Sequence, residues 1–137
     1  MIILDTDVIS AIMRAEKEAI SWLDRQAASS IWTTAVTIFE IQCGLAFMPS
    51  GRRRATTELA FRKVIEDDLS SRVLSFDRAA ANEAASLMAT RHRSGRIKES
   101  RDTMIAGIAL AQNATLATRN VRHFDDLRVP VVNPWQA

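Results

Sequence analysis

A chain of 137 residues buries roughly two-thirds of the surface its unfolded form exposes, so it can fold without disulfides or a structural metal. Apolar residues at 47% and charged residues at 25% exclude a disordered or fibrous polymer. No apolar run approaches the roughly 20 residues of a membrane-spanning helix, which argues against an integral membrane protein.

The single cysteine, Cys43, excludes an intrachain disulfide framework and a multi-cysteine metal site, and points to a reducing compartment. MIIL at the start is cut by Asp5 after four residues, too short for a signal-peptide core, so a cytoplasmic protein is expected. The net charge of +2 hides an uneven make-up, because 15 of the 18 basic residues are arginines. If carboxylates converge on one pocket, the rest of the surface is more basic than the net charge suggests. That suits a polyanion held beside bound cations, although an arginine-rich solvated surface accounts for the same composition.

In chain order, residues 1–5 (MIILD) read as a strand that closes on Asp5, with Asp7 two positions on. A helical pattern follows over 8–26, then a strand over 30–36 (SIWTTAV) and a helix over 38–48 carrying Glu40 in its first turn. Cys43, within IFEIQCGL, reads there as a small buried hydrophobe. A helix over 53–68 begins among Arg52, Arg53 and Arg54, and a strand over 72–77 (RVLSFD) leads into a helix over 78–93 that ends at Arg91 and Arg93, just before Arg96. A largely apolar helix over 102–112 opens on Asp102; strands over 114–118 (ATLAT) and 129–133 (VPVVN) complete the chain, with Asn120 just after the first of them. No repeat or Pro/Gly linker divides the sequence, so one domain over 1–137 is expected. Strands alternating with helices predict an α/β fold, a central mostly parallel sheet with helices on both faces.

In such sheets ligands sit beyond the carboxyl ends of the strands. Asp5, Glu40 and Asn120 all fall near strand ends or the helix starts that follow them, and Asp102 joins them if its helix begins on the same rim. Each has a local alternative. Thr37-x-x-Glu40 is a capping-box pattern, Asp102 suits a helix dipole, and Asp5 and Asn120 suit caps. Taken together, acids beside buried sheet edges repel one another and call for a cation. Divalent-metal phosphodiester hydrolysis is the chemistry that needs such a set, with no serine, cysteine or histidine nucleophile.

Four blocks then carry a resemblance that runs almost end to end. MIILDTDVISAIMR, TTAVTIFEIQCGL, RDTMIAGIALAQNATLATRNVRHF and the terminal VVNPW, in that order, resemble PIN-domain ribonucleases, specifically VapC-type toxins of type II toxin–antitoxin pairs. The resemblance implies a Mg²⁺-dependent endoribonuclease, with Mn²⁺ as an alternative ion. It also implies a homodimer inhibited by a neighbour-encoded antitoxin through which alone it meets operator DNA. Carried over by position, Asp5, Glu40 and Asp102 form the acidic triad, with Asp5 and Asp102 as direct metal ligands and Glu40 holding a second ion or a water. Thr6 braces the acids by hydrogen bonds. Asn120 stands at a fourth position, commonly Asp, where it contributes no charge; Asp7 or Asp125 would compensate only in part. His123, where relatives often carry an acid, reads as an exposed turn residue. RNA is expected along Arg52, Arg53, Arg54, Arg91 and Arg93. The antitoxin is expected to insert a cation among the acids, from a groove lined by the 8–26 and 38–68 segments.

Two rivals remain. A haloacid-dehalogenase-type phosphatase also begins with a hydrophobic strand and Asp-x-Asp, but Lys63 and Lys98 are poorly placed for it and Asp125-Asp126 follow a turn. A catalytically weak PIN domain acting as a binding module is favoured only by Asn120.

Overall fold

The computed structural model describes residues 1–96 and 99–137. Its five strands, β1 (Ile2–Leu4), β2 (Ile31–Thr34), β3 (Val73–Leu74), β4 (Thr115–Ala117) and β5 (Val131–Val132), form one sheet in the order β3-β2-β1-β4-β5. Every pairing is parallel; Ile2 faces both Ile31 and Thr115 across the ladder. Six helices cover it: α1 (Thr6–Met13), α2 (Lys17–Asp24), α3 (Ala35–Phe47), α4 (Arg52–Lys63), α5 (Arg78–Arg93) and α6 (Ser100–Gln112). None of the helices among the described residues is long and apolar enough to cross a membrane.

The two-residue period of a strand explains why the sheet has two apolar faces. Leu4 and Ala117 point into one cluster with Val8, Ile12, Trp22 and Ile41, whereas Ile3 and Leu116 point into the other with Ile105, Ile108 and Phe124. The chain leaves β1 for β2 on one side and returns to β4 on the other. The strand order therefore reverses beside β1, and the crevice at its carboxyl end is the switch point of the sheet.

The observed elements depart from the sequence reading where a cap or an unusual backbone angle intervenes. The single helix expected over 8–26 is two helices, because Ala15 adopts a left-handed conformation (φ 55°) and Glu16 begins α2 anew. The second strand stops at Thr34, whose side chain caps α3 by accepting the Thr37 N–H at 3.1 Å. Helix α3 thus starts three residues earlier than expected, Glu40 falls in its second turn, and the capping box proposed for Thr37 and Glu40 does not form. The third strand is only two residues long because Asp77 already caps α5 through the Ala80 N–H at 2.9 Å. Beyond Lys63, α4 widens into a π-helical turn, Val64–Asp68. Cys43 is only partly buried.

Helices α5 and α6 pack unusually close. A Cβ built on Gly107 would lie 2.6 Å from the Ala80 carbonyl oxygen and 2.7 Å from the Ala84 Cβ, so small residues on both helices set their separation. Gly44, on α3, has open space around the same position. Gly107→Ala is therefore expected to destabilise the chain by about 1–3 kcal/mol through overpacking. Gly44→Ala should stabilise it by roughly 0.5–1 kcal/mol, since alanine loses less backbone entropy in a helix. Denaturant unfolding of the two variants checks both signs.

Candidate active site

Asp5 extends β1 by one further ladder bond, its N–H to the Ala117 carbonyl at 2.9 Å, and then caps α1. Position rather than side chain thus buries it: only 5% of it is exposed. Its Oδ1 accepts the Thr6 N–H at 2.8 Å and its Oδ2 the Thr118 hydroxyl at 2.8 Å. Burial, then the charge of Asp7, and more weakly that of Asp102 push the Asp5 carboxyl up to about 7, against the opposing pull of the two hydrogen bonds.

Asp7 sits in the first turn of α1 and its pKa is raised as well, chiefly by burial. Its Oδ2 accepts the Arg119 N–H at 3.0 Å and lies 3.3 Å from the Thr118 Oγ1, while its Oδ1 is buried without a hydrogen-bond partner. Thr118 has one hydroxyl proton and two carboxylates beside it, so it cannot satisfy both. The Asn120 N–H donates to that hydroxyl oxygen at 3.1 Å.

Glu40 reaches the same crevice from α3. Its Oε1 accepts the Thr6 hydroxyl at 2.8 Å, and its Oε2 lies 3.9 Å from the Arg101 guanidinium. Burial raises its pKa, and the charge of Asp102 adds to that. Asp102 comes from the first turn of α6, its Oδ2 3.3 Å from the His123 Nδ1. Asp102 is thus sensed electrostatically by both Asp5 and Glu40, and the helix that carries it does begin on the shared rim. Among the described residues, no three His, Cys, Asp or Glu side chains stand close enough together to surround a metal ion.

Asn120 is brought to the crevice through its backbone; it is exposed, and its side chain makes no capping bond to the short 3₁₀ turn, Val121–Phe124, that it precedes. His123 is half exposed, as expected of a turn residue, but it touches Asp102, a contact that no local pattern signals. Thr118 was also missed: strand-end threonines are common, and only the fold reveals the two acids that share it.

The arginines divide. Arg52, Arg53 and Arg93 are exposed, and Arg53 lines a cleft of about 570 Å³ that opens beside Thr6 and Glu40 and runs between α1, α3 and α4. Arg54 is partly tied down by Glu58 at 2.8 Å. Arg91, expected on an RNA-binding surface, is instead 1% exposed and wholly engaged inside the fold, so it is withdrawn from that set.

The phosphatase reading finds no support among the described residues. Lys63 faces Asp24 and Asp68 in a pocket with Ile20 and Leu23, away from Asp5, and Asp125 and Asp126 are bonded to Arg96 and Arg91. Lys98 lies outside the described residues.

Comparison with known proteins gives concordant matches. The sequence pattern of the PIN domain matches residues 2–129. The chain is 37% identical to the plasmid stability protein StbB of Pseudomonas syringae pv. tomato, over all of both chains. It is 36% identical to the VapC ribonuclease Y4jK of Sinorhizobium fredii, over 99% of each. Among solved structures, FitAB bound to an IR36 DNA fragment superposes with a TM-score of 0.87 at 29% identity, covering 98% of this chain and 96% of that one. FitAcB from Neisseria gonorrhoeae gives 0.85 at 28%, covering both chains fully.

The raised Asp5 carboxyl has a thermodynamic consequence with a definite sign. The folded chain binds the Asp5 proton more tightly than the unfolded chain does. The contribution of Asp5 to the stability of the metal-free protein should therefore fall as pH rises from about 3.8 to about 7 and stay reduced above that. In chelator at pH 8, Asp5→Asn should raise stability by an amount on the order of a few kcal/mol, and at pH 4 it should change little. Thermal melts of the two proteins at both pH values check this; a large loss at pH 8 would make Asp5 merely a helix cap.

Proposed function

The chain belongs to the PIN-domain family, within its VapC-type branch, and from that premise we propose that it is a divalent-metal-dependent endoribonuclease, the toxin of a toxin–antitoxin pair. The observation that carries this reading is the state of its inner acids. Asp5 is buried and Asp7 partly buried at the carboxyl edge of a parallel sheet; the two repel one another and have no lysine or arginine side chain within ion-pair distance among the described residues. Carboxylates kept in that condition suit a cation from outside.

The donor set fits Mg²⁺, which takes hard oxygen ligands and commonly needs only one or two carboxylates because it keeps several waters. A ready-made cage of three side chains is thus not required. Asp5 and Asp102 are the residues that would hold the ion, and Mn²⁺ would suit the same oxygens. When bound, the ion supplies positive charge to a phosphoryl oxygen and makes a water more acidic.

The remaining roles fall to the chain itself. Thr118 and the Thr6 N–H fix the two oxygens of Asp5, so its orientation does not depend on the ion. Thr6 occupies Glu40 Oε1, which leaves Oε2 to accept a proton from the attacking water. Burial raises the basicity of that carboxylate, as a general base requires. Asn120 would orient substrate or water at the rim without adding charge.

The cleft beside Glu40 offers apolar anchors in Met13, Ile41, Leu45 and Met48. It suits a helical or extended antitoxin segment that presents a cation to the acids, with operator DNA contacted by the antitoxin. Phe39 and Phe47 are 56% and 83% exposed and flank Cys43 at four-residue spacing on α3, which supports a second protein interface, that of a homodimer. The soluble cytoplasm is the compartment where such an RNA substrate and partner meet.

Purified chain should cleave RNA with Mg²⁺ or Mn²⁺ and stop in chelator. Asp5→Asn and Asp102→Asn should each lower cleavage by a factor of about 100 or more while the far-ultraviolet circular dichroism is unchanged. Cleavage that survives chelation and both substitutions would overturn the reading, and metal-independent RNA binding without cleavage would make the chain a binding module.

Replacing Arg52 and Arg53 together should weaken RNA binding and flatten its salt dependence by roughly 0.7 for each lost phosphate contact. Filter binding from low to moderate salt measures the slope. An unchanged slope would leave these arginines as solvated surface.

A further inference from the structure

Arg91 is the largest fully buried side chain of the fold and the reaction outlined above makes no use of it. It lies in the last turn of α5, and its guanidinium reaches two other pieces of chain. Nε and Nη2 donate to the two carboxylate oxygens of Asp126 at 2.8 and 2.9 Å. Nη2 also donates to the His123 carbonyl at 2.9 Å, and Nη1 donates to the Thr103 hydroxyl oxygen at 2.9 Å. The paired Arg91 side chain holds Asp126 below the usual carboxylate range, so the pair stays charged.

Those acceptors are not scattered. Thr103 directly follows Asp102, and its hydroxyl also reaches the Glu99 carbonyl at 3.2 Å, across the first turn of α6. His123 bears the ring that stands 3.3 Å from Asp102 Oδ2. The Asp102–His123 contact is itself half exposed, with His123 49% accessible, and a contact of that kind contributes little on its own. Its geometry must come from the two backbones that carry it, and both are bolted to one planar guanidinium. Arg96 adds an outer tie, to Asp125 at 2.6 Å. The close approach of α5 to α6 at Gly107 brings the two helices near enough for Arg91 to reach Thr103.

We propose that Arg91 is a positioning residue, which sets Asp102 and His123 at the rim of the acid cluster by clamping the first turn of α6 to the 121–126 turn. Only a planar fork with several donors can serve four acceptors in different directions; a lysine ammonium in the same space cannot. The inference rests on the reading of Asp102 as a metal-binding acid. It predicts that loss of the clamp alters the metal site and the chemical step while leaving RNA affinity alone.

The test uses the full chain and Mn²⁺ alone as the probe, titrated by electron paramagnetic resonance well below the melting temperature of each variant. Single-substrate kinetics on RNA run beside it. Arg91→Lys should weaken Mn²⁺ binding by about 10-fold or more and lower kcat correspondingly, with KM for RNA unchanged. Thr103→Val keeps the shape of the side chain and removes one acceptor of the four. It serves should Arg91→Lys fail to fold, and it should show a smaller loss of the same two quantities. A role confined to stability would lower the melting temperature and leave Mn²⁺ affinity and kcat of the folded variants at the unsubstituted values; that result overturns the proposal. Asp102→Asn is the control. If it abolishes Mn²⁺ binding while the clamp variants bind normally, the clamp alone is wrong. If Asp102→Asn also binds Mn²⁺ normally, the metal reading fails and the clamp falls with it.

Discussion

Asp5 is a carboxylate at the end of the middle strand of a five-stranded sheet, 5% exposed, with a second acid two residues away. A charge buried there must be met by donors or by a cation, or it stays protonated. The chain answers only in part. Thr6 and Thr118 supply two neutral donors to Asp5, one hydroxyl proton is contested by two acids, and one oxygen of Asp7 is left without a bond.

Seven arginines are paired elsewhere. Arg14 and Arg119 meet Glu16, Arg54 meets Glu58, Arg128 meets Glu83, Arg101 meets Glu99, and Arg91 and Arg96 meet Asp126 and Asp125. Arg119 is further held by stacking 3.8 Å over the Trp135 ring. Six acids outside the crevice are thus neutralised from within the chain. The inner ones, Asp5 and Asp7, rely on threonine hydroxyls and backbone N–H groups, while Asp102 faces a histidine and Glu40 sees an arginine only at 3.9 Å. This division leaves the crevice more acidic than the net charge of +2 suggests. It also explains how a basic surface and an acidic crevice coexist in one small fold.

Much of this architecture could be read from the sequence, for a reason that lies in topology. Alternating apolar strands and longer helices leave few arrangements other than a parallel sheet, and parallel strands put their carboxyl ends on one rim. Asp5, Glu40 and Asp102 were legible because each lies near a strand end or a helix start that faces that rim. What was not legible depends on tertiary approach. Nothing local distinguishes Arg91 from Arg93, yet one is buried against Asp126 and the other is exposed, because the 121–126 turn covers only one side of α5. The break at Ala15 is carried by a residue of high helix propensity in a left-handed conformation, against every local signal. Thr34 displaced Thr37 as the α3 cap because the strand ended sooner than its β-branched run implied.

The central claim is that a divalent ion completes the charge balance that the chain leaves open at Asp5. The most direct measurement is anomalous diffraction from crystals of the protein equilibrated with Mn²⁺. The expected result is an anomalous peak bound directly by carboxylate oxygens of both Asp5 and Asp102, at the carboxyl end of β1. Ordered Mn²⁺ bound only at other acids, with Asp5 and Asp102 contacting no ion, would contradict it.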